Sequence, residues 1–351
     1  MLVGASLSLS GRFQRQGEQA RDGLRLWVDY TKGTRDGSVP RLIVLDDESR
    51  ASIAQAHVRR LLAEHHVDVL FGPYSSGLVR AVVPIAGIAG KVLWNHGGTS
   101  DAIFREGGRH VVSVASAASD YLRGLPGWMR RRASRANRVS VLHAASGTFA
   151  GQVARGAVEG ARAAGFTEVR VVAFESPLHD GSAVLREAAV TEPDLLIGVG
   201  AFQDDLTIAR ERAVLPRRTL LALVGAGLAA FGDELGDLAE EIVGPSQWEP
   251  STGEAPLAGP DSSWFASAFE STFHRTVEYP AAQAFATGLI VLECRRRCAE
   301  SLDDTALLEA ARALETTTFY GRFRLDPLTG RQVGHAIRLV QWRNGRKRVI
   351  G

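Results

Sequence analysis

Short, unbroken apolar runs alternate with amphipathic stretches along most of this 351-residue chain. That alternation limits the fold more than any other feature. Leu2–Leu9, Leu42–Leu45, Val67–Phe71 and Lys91–Trp94 read as strands. Between them, Gly17–Tyr30 puts Leu24, Trp27, Val28 and Thr31 on one helical face. Ser49 can cap a second helix carrying Ile53, His57 and Leu61 beside Ala54, Val58 and Leu62, and Leu78–Ala89 reads as a third. The rhythm restarts at Val139. Strands are expected at Val139–Leu142, Val169–Phe174, Leu195–Ile197 and Leu220–Val224, and helices at Phe149–Ala164, Ser182–Val190 and Gln203–Arg212. Apolar strands separated by helices of roughly 10–15 residues imply parallel sheets covered on both faces. Two such runs imply two doubly wound α/β lobes, each offering its strand carboxyl ends to a ligand crevice.

The stretch from Gly244 to Pro260 changes character. Pro245, Pro250, Pro256 and Pro260, with Gly253 and Gly259, read as a loop. Helices are expected again at Ser262–His274, Ala281–Cys298 and Asp304–Leu314, followed by strands joined by a turn at Asp326–Gly330.

A net charge of +2 offers no field for nucleic acid or an anionic membrane. Of the 41 basic residues 38 are arginine, a composition bias and not a binding signal. Arg130–Arg132 and Arg295–Arg297 read as solvated helix faces. Cys294 and Cys298 sit four apart on a helix, a poor geometry for a disulfide, and no further ligands surround them for a metal. No apolar run approaches the ~18 residues of a membrane span. No leader peptide is visible ahead of the first strand, so the expectation is either a leader removed before this start or a cytoplasmic protein.

Enzymatic motifs are missing. Gly72-Pro-Tyr-Ser-Ser-Gly77 has the wrong spacing for a nucleophile elbow. The first strand is not followed by the Gly-x-Gly-x-x-Gly of a dinucleotide site, and no phosphate-binding loop of the Walker type occurs. The nine histidines are scattered. The expectation is no catalytic residue, no metal and no cofactor.

Two strand-to-helix loops carry the binding potential. In Gly72–Gly77, Ser75 or Ser76 falls at a helix N-cap, where free N–H groups suit a carboxylate. Asn95-His-Gly-Gly-Thr-Ser-Asp101 follows the next strand and adds hydroxyls and backbone amides on the same sheet edge.

At these loops the chain resembles the substrate-binding proteins of ABC transporters of the branched-chain amino acid type, which have the type I periplasmic binding fold. The resemblance rests on Gly4-Ala-Ser-Leu-Ser-Leu-Ser-Gly11, Leu70–Ser76, Gly97-Gly-Thr-Ser100, Thr318–Pro327, Gly330 and Val340-Gln-Trp342, in that order. It implies two Rossmann-like lobes joined by a three-strand hinge, with crossings near Ala115–Ser119, Gly244–Trp248 and Arg322–Asp326. Lobe one is then 1–116 plus 247–323, and lobe two is 117–246 plus 324–351. The resemblance further implies that Ser75, Ser76 and Thr99, with the amides around Gly97 and Gly98, grip a ligand carboxylate. Tyr74 and Asn95 line the same wall, and Phe149 and Phe202 cover the ligand from lobe two. Amino-acid binders of this family carry an acid after the strand ending at Val224, where this chain has Gly225-Ala-Gly227. Asp204, Asp205 or Asp101 could replace it, or the ligand has no ammonium group.

The function so implied is capture of an amino acid or related small acid in the inter-lobe cleft and delivery to an ABC permease. Such a protein is periplasmic or lipid-anchored and inserts no helix in the membrane. The alternative is a cytoplasmic amide or amino-acid sensor of the same fold.

Overall fold

A computed structural model describes residues 1–33, 39–106, 108–252, 254–299 and 302–351. Gly253, counted above in the proline-rich loop, lies outside the described residues. The chain divides into two compact units, 1–116 with 248–336 and 117–247 with 337–351.

The first unit opens with β1 (Leu2–Leu7), α1 (Gln14–Thr31), β2 (Arg41–Asp46), α2 (Ala51–Ala63), β3 (Val69–Phe71), α3 (Ser76–Ile88), β4 (Leu93–Asn95), α4 (Asp101–Glu106) and β5 (Val111–Ser113). The second holds α5 (Leu125–Arg132), β6 (Arg138–Ala144), α6 (Thr148–Ala163), β7 (Glu168–Phe174), α7 (Gly181–Ala189), β8 (Leu195–Val199), α8 (Phe202–Arg210), β9 (Leu220–Leu223), α9 (Ala229–Leu235) and β10 (Val243–Ser246). The chain then returns to the first unit with α10 (Ser262–Phe273), α11 (Tyr279–Arg297), α12 (Asp304–Ala313), β11 (Thr316–Thr318) and β12 (Gly321–Phe323). It ends in the second with β13 (Arg338–Arg343) and β14 (Arg346–Val349).

The first sheet has the order β2-β1-β3-β4-β5, all parallel. The second has the order β14-β13-β10-β9-β8-β6-β7, parallel from β10 to β7, with β13 and β14 antiparallel at one edge. The strand order reverses at β1/β3 in the first sheet and at β6/β8 in the second. In an open α/β sheet, loops at the carboxyl ends of such a pair diverge and leave a crevice. These are residues 8–13 and 72–75 in one unit, and 145–147 and 200–201 in the other.

Each unit has its own core. In the first, α11 is buried from Pro280 to Val291, where nearly every side is apolar, and it packs against α1. Phe265 and Phe319 stack at 4.3 Å between centroids, with Trp248 edge-on to both. Cys294 is buried there as a free thiol, its pKa pushed up by burial to about 12.

Several expectations need correction. Ser49 does not cap α2: its φ is 60°, and its hydroxyl is engaged by Phe13 N–H and Ser10 O in the loop after β1. The stretch after Gly244 is not all loop. Pro245 lies inside β10, opposite Leu339 of β13, where the parallel neighbour β9 pairs only at Val243 and no second ladder needs its missing N–H. Residues 324–336, assigned by expectation to the second lobe, pack with the first unit. Gln332 holds them there: it is buried and donates to Val114 O and Arg322 O while accepting from Arg324 N–H.

Candidate functional site

In the first unit, three of the expected residues sit side by side at the β3–α3 turn. Ser75 is the N-cap of α3, and its hydroxyl oxygen accepts from Leu78 N–H at 3.4 Å. Its backbone is at φ 84°, ψ 144°, a region costly for any side-chain-bearing residue, and such strain gathers at functional sites. Tyr74 pairs with Gly97 in a parallel bridge, and its ring lies 6.1 Å from that of Phe13. The loops following β1, β3 and β4 therefore meet.

Ser76 joins the last two. Its Oγ accepts from both Thr99 N–H (3.2 Å) and Ser100 N–H (3.0 Å). Two incoming donors occupy the oxygen's lone pairs, so toward any further partner the hydroxyl can only donate. The Thr99 side chain is buried, and among the described residues its hydroxyl makes no hydrogen bond.

Asn95 behaves differently from the expected ligand wall. It is wholly buried, and its amide organises its own loop. Oδ1 accepts from Gly98 N–H (2.8 Å), and Nδ2 donates to Gly98 O (2.6 Å) and Ser113 Oγ (3.2 Å). Gly98 is required where it stands, since a Cβ there would lie 2.6 Å from Val79 Cγ2. His96, beside Asn95, is fully buried, and burial pushes its pKa down to about 4 against the opposing pull of the Gly72 backbone. Asp101 is paired to Arg331 at 3.2 Å.

In the second unit, Phe149 and Phe202 stand at the starts of α6 and α8, which follow the adjacent strands β6 and β8. Both rings are half-buried. Phe149 meets Tyr121 edge-on at 5.4 Å. Phe202 lies over Gly225: a Cβ on that glycine would be 3.3 Å from the ring and 3.1 Å from an Asp205 oxygen.

Asp204, offered by the sequence as a ligand contact, is turned inward and only 1 % exposed. Its carboxylate accepts from Ser176 Oγ (2.7 Å), Leu178 N–H (2.8 Å) and Ala201 N–H (2.8 Å). Asp205 is also 1 % exposed and accepts from Gly200 N–H (3.2 Å) and Gly225 N–H (2.6 Å). Burial pushes the Asp205 carboxyl up to about 7, the two amides lowering it and Asp204 adding to the rise. These two acids brace the loops after β7, β8 and β9. Sequence reasoning had no way to see this, because adjacent aspartates at a helix start equally suit capping or an open site.

These loop positions on two doubly wound α/β units define a type I periplasmic binding fold. A model of the periplasmic binding protein family matches residues 2–347, and the chain belongs to that family. The family is non-enzymatic. Among solved structures, the chain is similar to a leucine-binding protein of Thermotoga maritima, with 17 % identity, a TM-score of 0.85, and 100 % of this chain and 98 % of that one covered. It is also similar to the branched-chain amino acid substrate-binding protein of Streptococcus pneumoniae in complex with isoleucine, at 16 % identity and a TM-score of 0.83 over 100 % and 99 %. A third relative is an ABC transporter solute-binding protein of R. palustris in complex with benzoate, at 20 % identity and 0.80 over 100 % and 95 %. Among the described residues no helix is long and apolar enough to cross a membrane.

Proposed function

We propose that this chain is the solute-binding protein of an ABC importer and that it captures a small organic acid lacking an ammonium group. Ser76, Thr99 and neighbouring backbone groups grip the ligand carboxylate, Tyr74 lies beside them, and Phe149 and Phe202 cover the apolar end. The observation carrying this reading is the state of Ser76. With both lone pairs taken by amides, it is left as a pure donor beside the uncommitted Thr99 hydroxyl, and adjoining donors select an acceptor such as a carboxylate. The second observation concerns the amine. Asp204 and Asp205 are committed to backbone and serine donors, Asp101 to Arg331, and position 225 has no side chain. A buried ammonium without an acid is costly. The benzoate complex of the R. palustris relative fits this ligand class better than the isoleucine complex does.

Ligand closure draws the two units together only if the ligand binds the closed form more tightly than the open one. The test is a thermal-shift panel of benzoate and hydroxybenzoates, short aliphatic and 2-oxo acids, simple amides, and branched-chain amino acids. A ligand at 100 times its Kd adds about 2.7 kcal/mol, a readily visible shift. Shifts confined to acids without an amine support the reading, and scattering should then show a smaller radius with ligand. Shifts confined to amino acids overturn the ligand class, and a tight ligand that leaves the radius unchanged overturns the clamp.

A further inference from the structure

Asp205 makes no contact in the reading above, yet it is among the most deeply buried ionisable groups of the second unit. Its two carboxylate oxygens reach two different loops, one bonded to the Gly200 amide after β8 and the other to the Gly225 amide after β9. Phe202 belongs to the first of these loops and lies over the second. We propose that Asp205 is a positioning residue: by accepting both glycine amides at once it fixes the Phe202 ring over Gly225 and so sets the apolar wall presented to the ligand. This rests on the reading that Phe202 faces the ligand.

The geometry favours a dedicated tie over ordinary helix capping. The capping at the start of α8 is done by Asp204, whose Oδ2 takes the Ala201 amide. Asp205 takes no amide within its own helix, and its shorter bond goes to a residue twenty positions away. A protonated carboxyl has one oxygen occupied by hydrogen and cannot accept both amides equally well. The tie should therefore tighten as Asp205 ionises, with a midpoint near its pKa of about 7. Asp204 is the one charge acting on it. The elements packed against α8 also carry Arg186 and Glu187 on α7, Asp233 and Glu234 on α9, Arg212 on the turn after α8, and Asp237 after α9. All of these are exposed except Arg212, which is half-buried and donates to Glu240 O.

The experiment is a pH titration from 5.5 to 8.5 of the full chain, ligand-free, with labelled glycine amides and phenylalanine rings followed by NMR. Gly200 and Gly225 amides should move together with a midpoint near 7, and Phe202 ring signals should follow them. In Asp205→Asn, which keeps the shape but places a donor opposite an N–H, all three should be flat. With benzoate as probe, Asp205→Asn should bind roughly tenfold more weakly. It should cost nothing further in a Phe202→Leu background, because a residue acting through the ring has nothing left to position. Amides that titrate while the Phe202 ring stays still, or that do not titrate at all, overturn the proposal. So does an Asp205→Asn loss that persists undiminished without the ring. If the amides and ring titrate together but benzoate and the whole acid panel fail to bind, the positioning stands and the ligand reading falls. Should Asp205→Asn not fold, the titration of the unaltered protein decides alone.

Discussion

The loops after β3 and β4 in the first unit and those after β8 and β9 in the second sit on the same kind of sheet edge but use polar side chains in opposite ways. In the first unit, neutral groups shape the loops after β3 and β4: Asn95 folds its own loop, and Ser76 gathers two amides while keeping a donor to offer, whereas Asp46 and Asp47 hold the loop after β1. In the second unit, ionisable acids shape the loops, and Asp204 and Asp205 are entirely directed inward. A neutral hydroxyl can brace and still donate, whereas a buried carboxylate must have its acceptors filled. Under the proposed reading, that difference gives the first unit donors for an acid and the second an apolar, uncharged wall.

The largest effect expected from breaking this contrast is in Asp204→Ala. It would strand the Ser176 hydroxyl and two amides, costing about 3 kcal/mol or more in chemical denaturation. Thr99→Val, which preserves shape and removes a hydroxyl that makes no hydrogen bond among the described residues, should leave stability within about 0.5 kcal/mol. If Asp204→Ala is as stable as the parent, the second edge is not held by its acids.

Ligand binding should reverse that ranking. Removing one donor to a charged carboxylate costs about 1.5–3 kcal/mol, so Thr99→Val and Ser76→Ala should each weaken the best-binding acid of the panel roughly 10- to 150-fold by calorimetry. Ser76→Ala should also lose some stability, because Thr99 and Ser100 amides lose their acceptor. Unchanged affinity in Thr99→Val would remove that hydroxyl from the site.

How far this could be read from the sequence differs between the two edges. Period and apolar runs gave both doubly wound units, and helix-capping logic pointed to Ser75 or Ser76, of which Ser75 is the cap. Such signals are local. β5 and the short helices α4, α5 and α9 are too brief or too mixed to carry a period. The inward direction of Asp204 depends on Ser176 and Leu178, more than 20 residues away, and no spacing rule reaches that far. Likewise the resemblance placed Asn95 on the ligand wall, whereas its amide is bonded to the backbone three residues on and to Ser113.

Restoring an acid where the chain has Gly225 would sharpen the contrast from the other side. In Gly225→Asp the new Cβ would meet the Asp205 carboxylate at 3.1 Å and the Phe202 ring at 3.3 Å. Like charges in a buried place repel, so the variant should lose about 1–3 kcal/mol of stability and gain no affinity for amino acids. A Gly225→Asp protein that acquires leucine or isoleucine binding would show that the wall is open enough to take an amine anchor, and that the aromatic floor is not what excludes one.

The smallest effect is a tilt with pH, and its sign should differ between the units. His96 has a folded pKa of about 4 against an ordinary 6.5, so the unfolded chain binds its proton more readily. Its contribution to the first unit is intact above pH 6.5 and is lost as pH falls toward 4. Asp205 has a folded pKa of about 7 against an ordinary 3.8, so the folded chain binds the proton more readily. Its contribution to the second unit is fully present below pH 3.8 and is lost as pH rises through 7. Scanning calorimetry at pH 5 and pH 8 should therefore move the two units' unfolding in opposite directions by a few degrees. Asp205→Asn should flatten only the second unit's response, and His96→Leu only the first's. Both units shifting the same way, with each variant leaving the slopes unchanged, would mean that these two buried groups do not set the pH response, and that the two sets of loops differ in geometry alone.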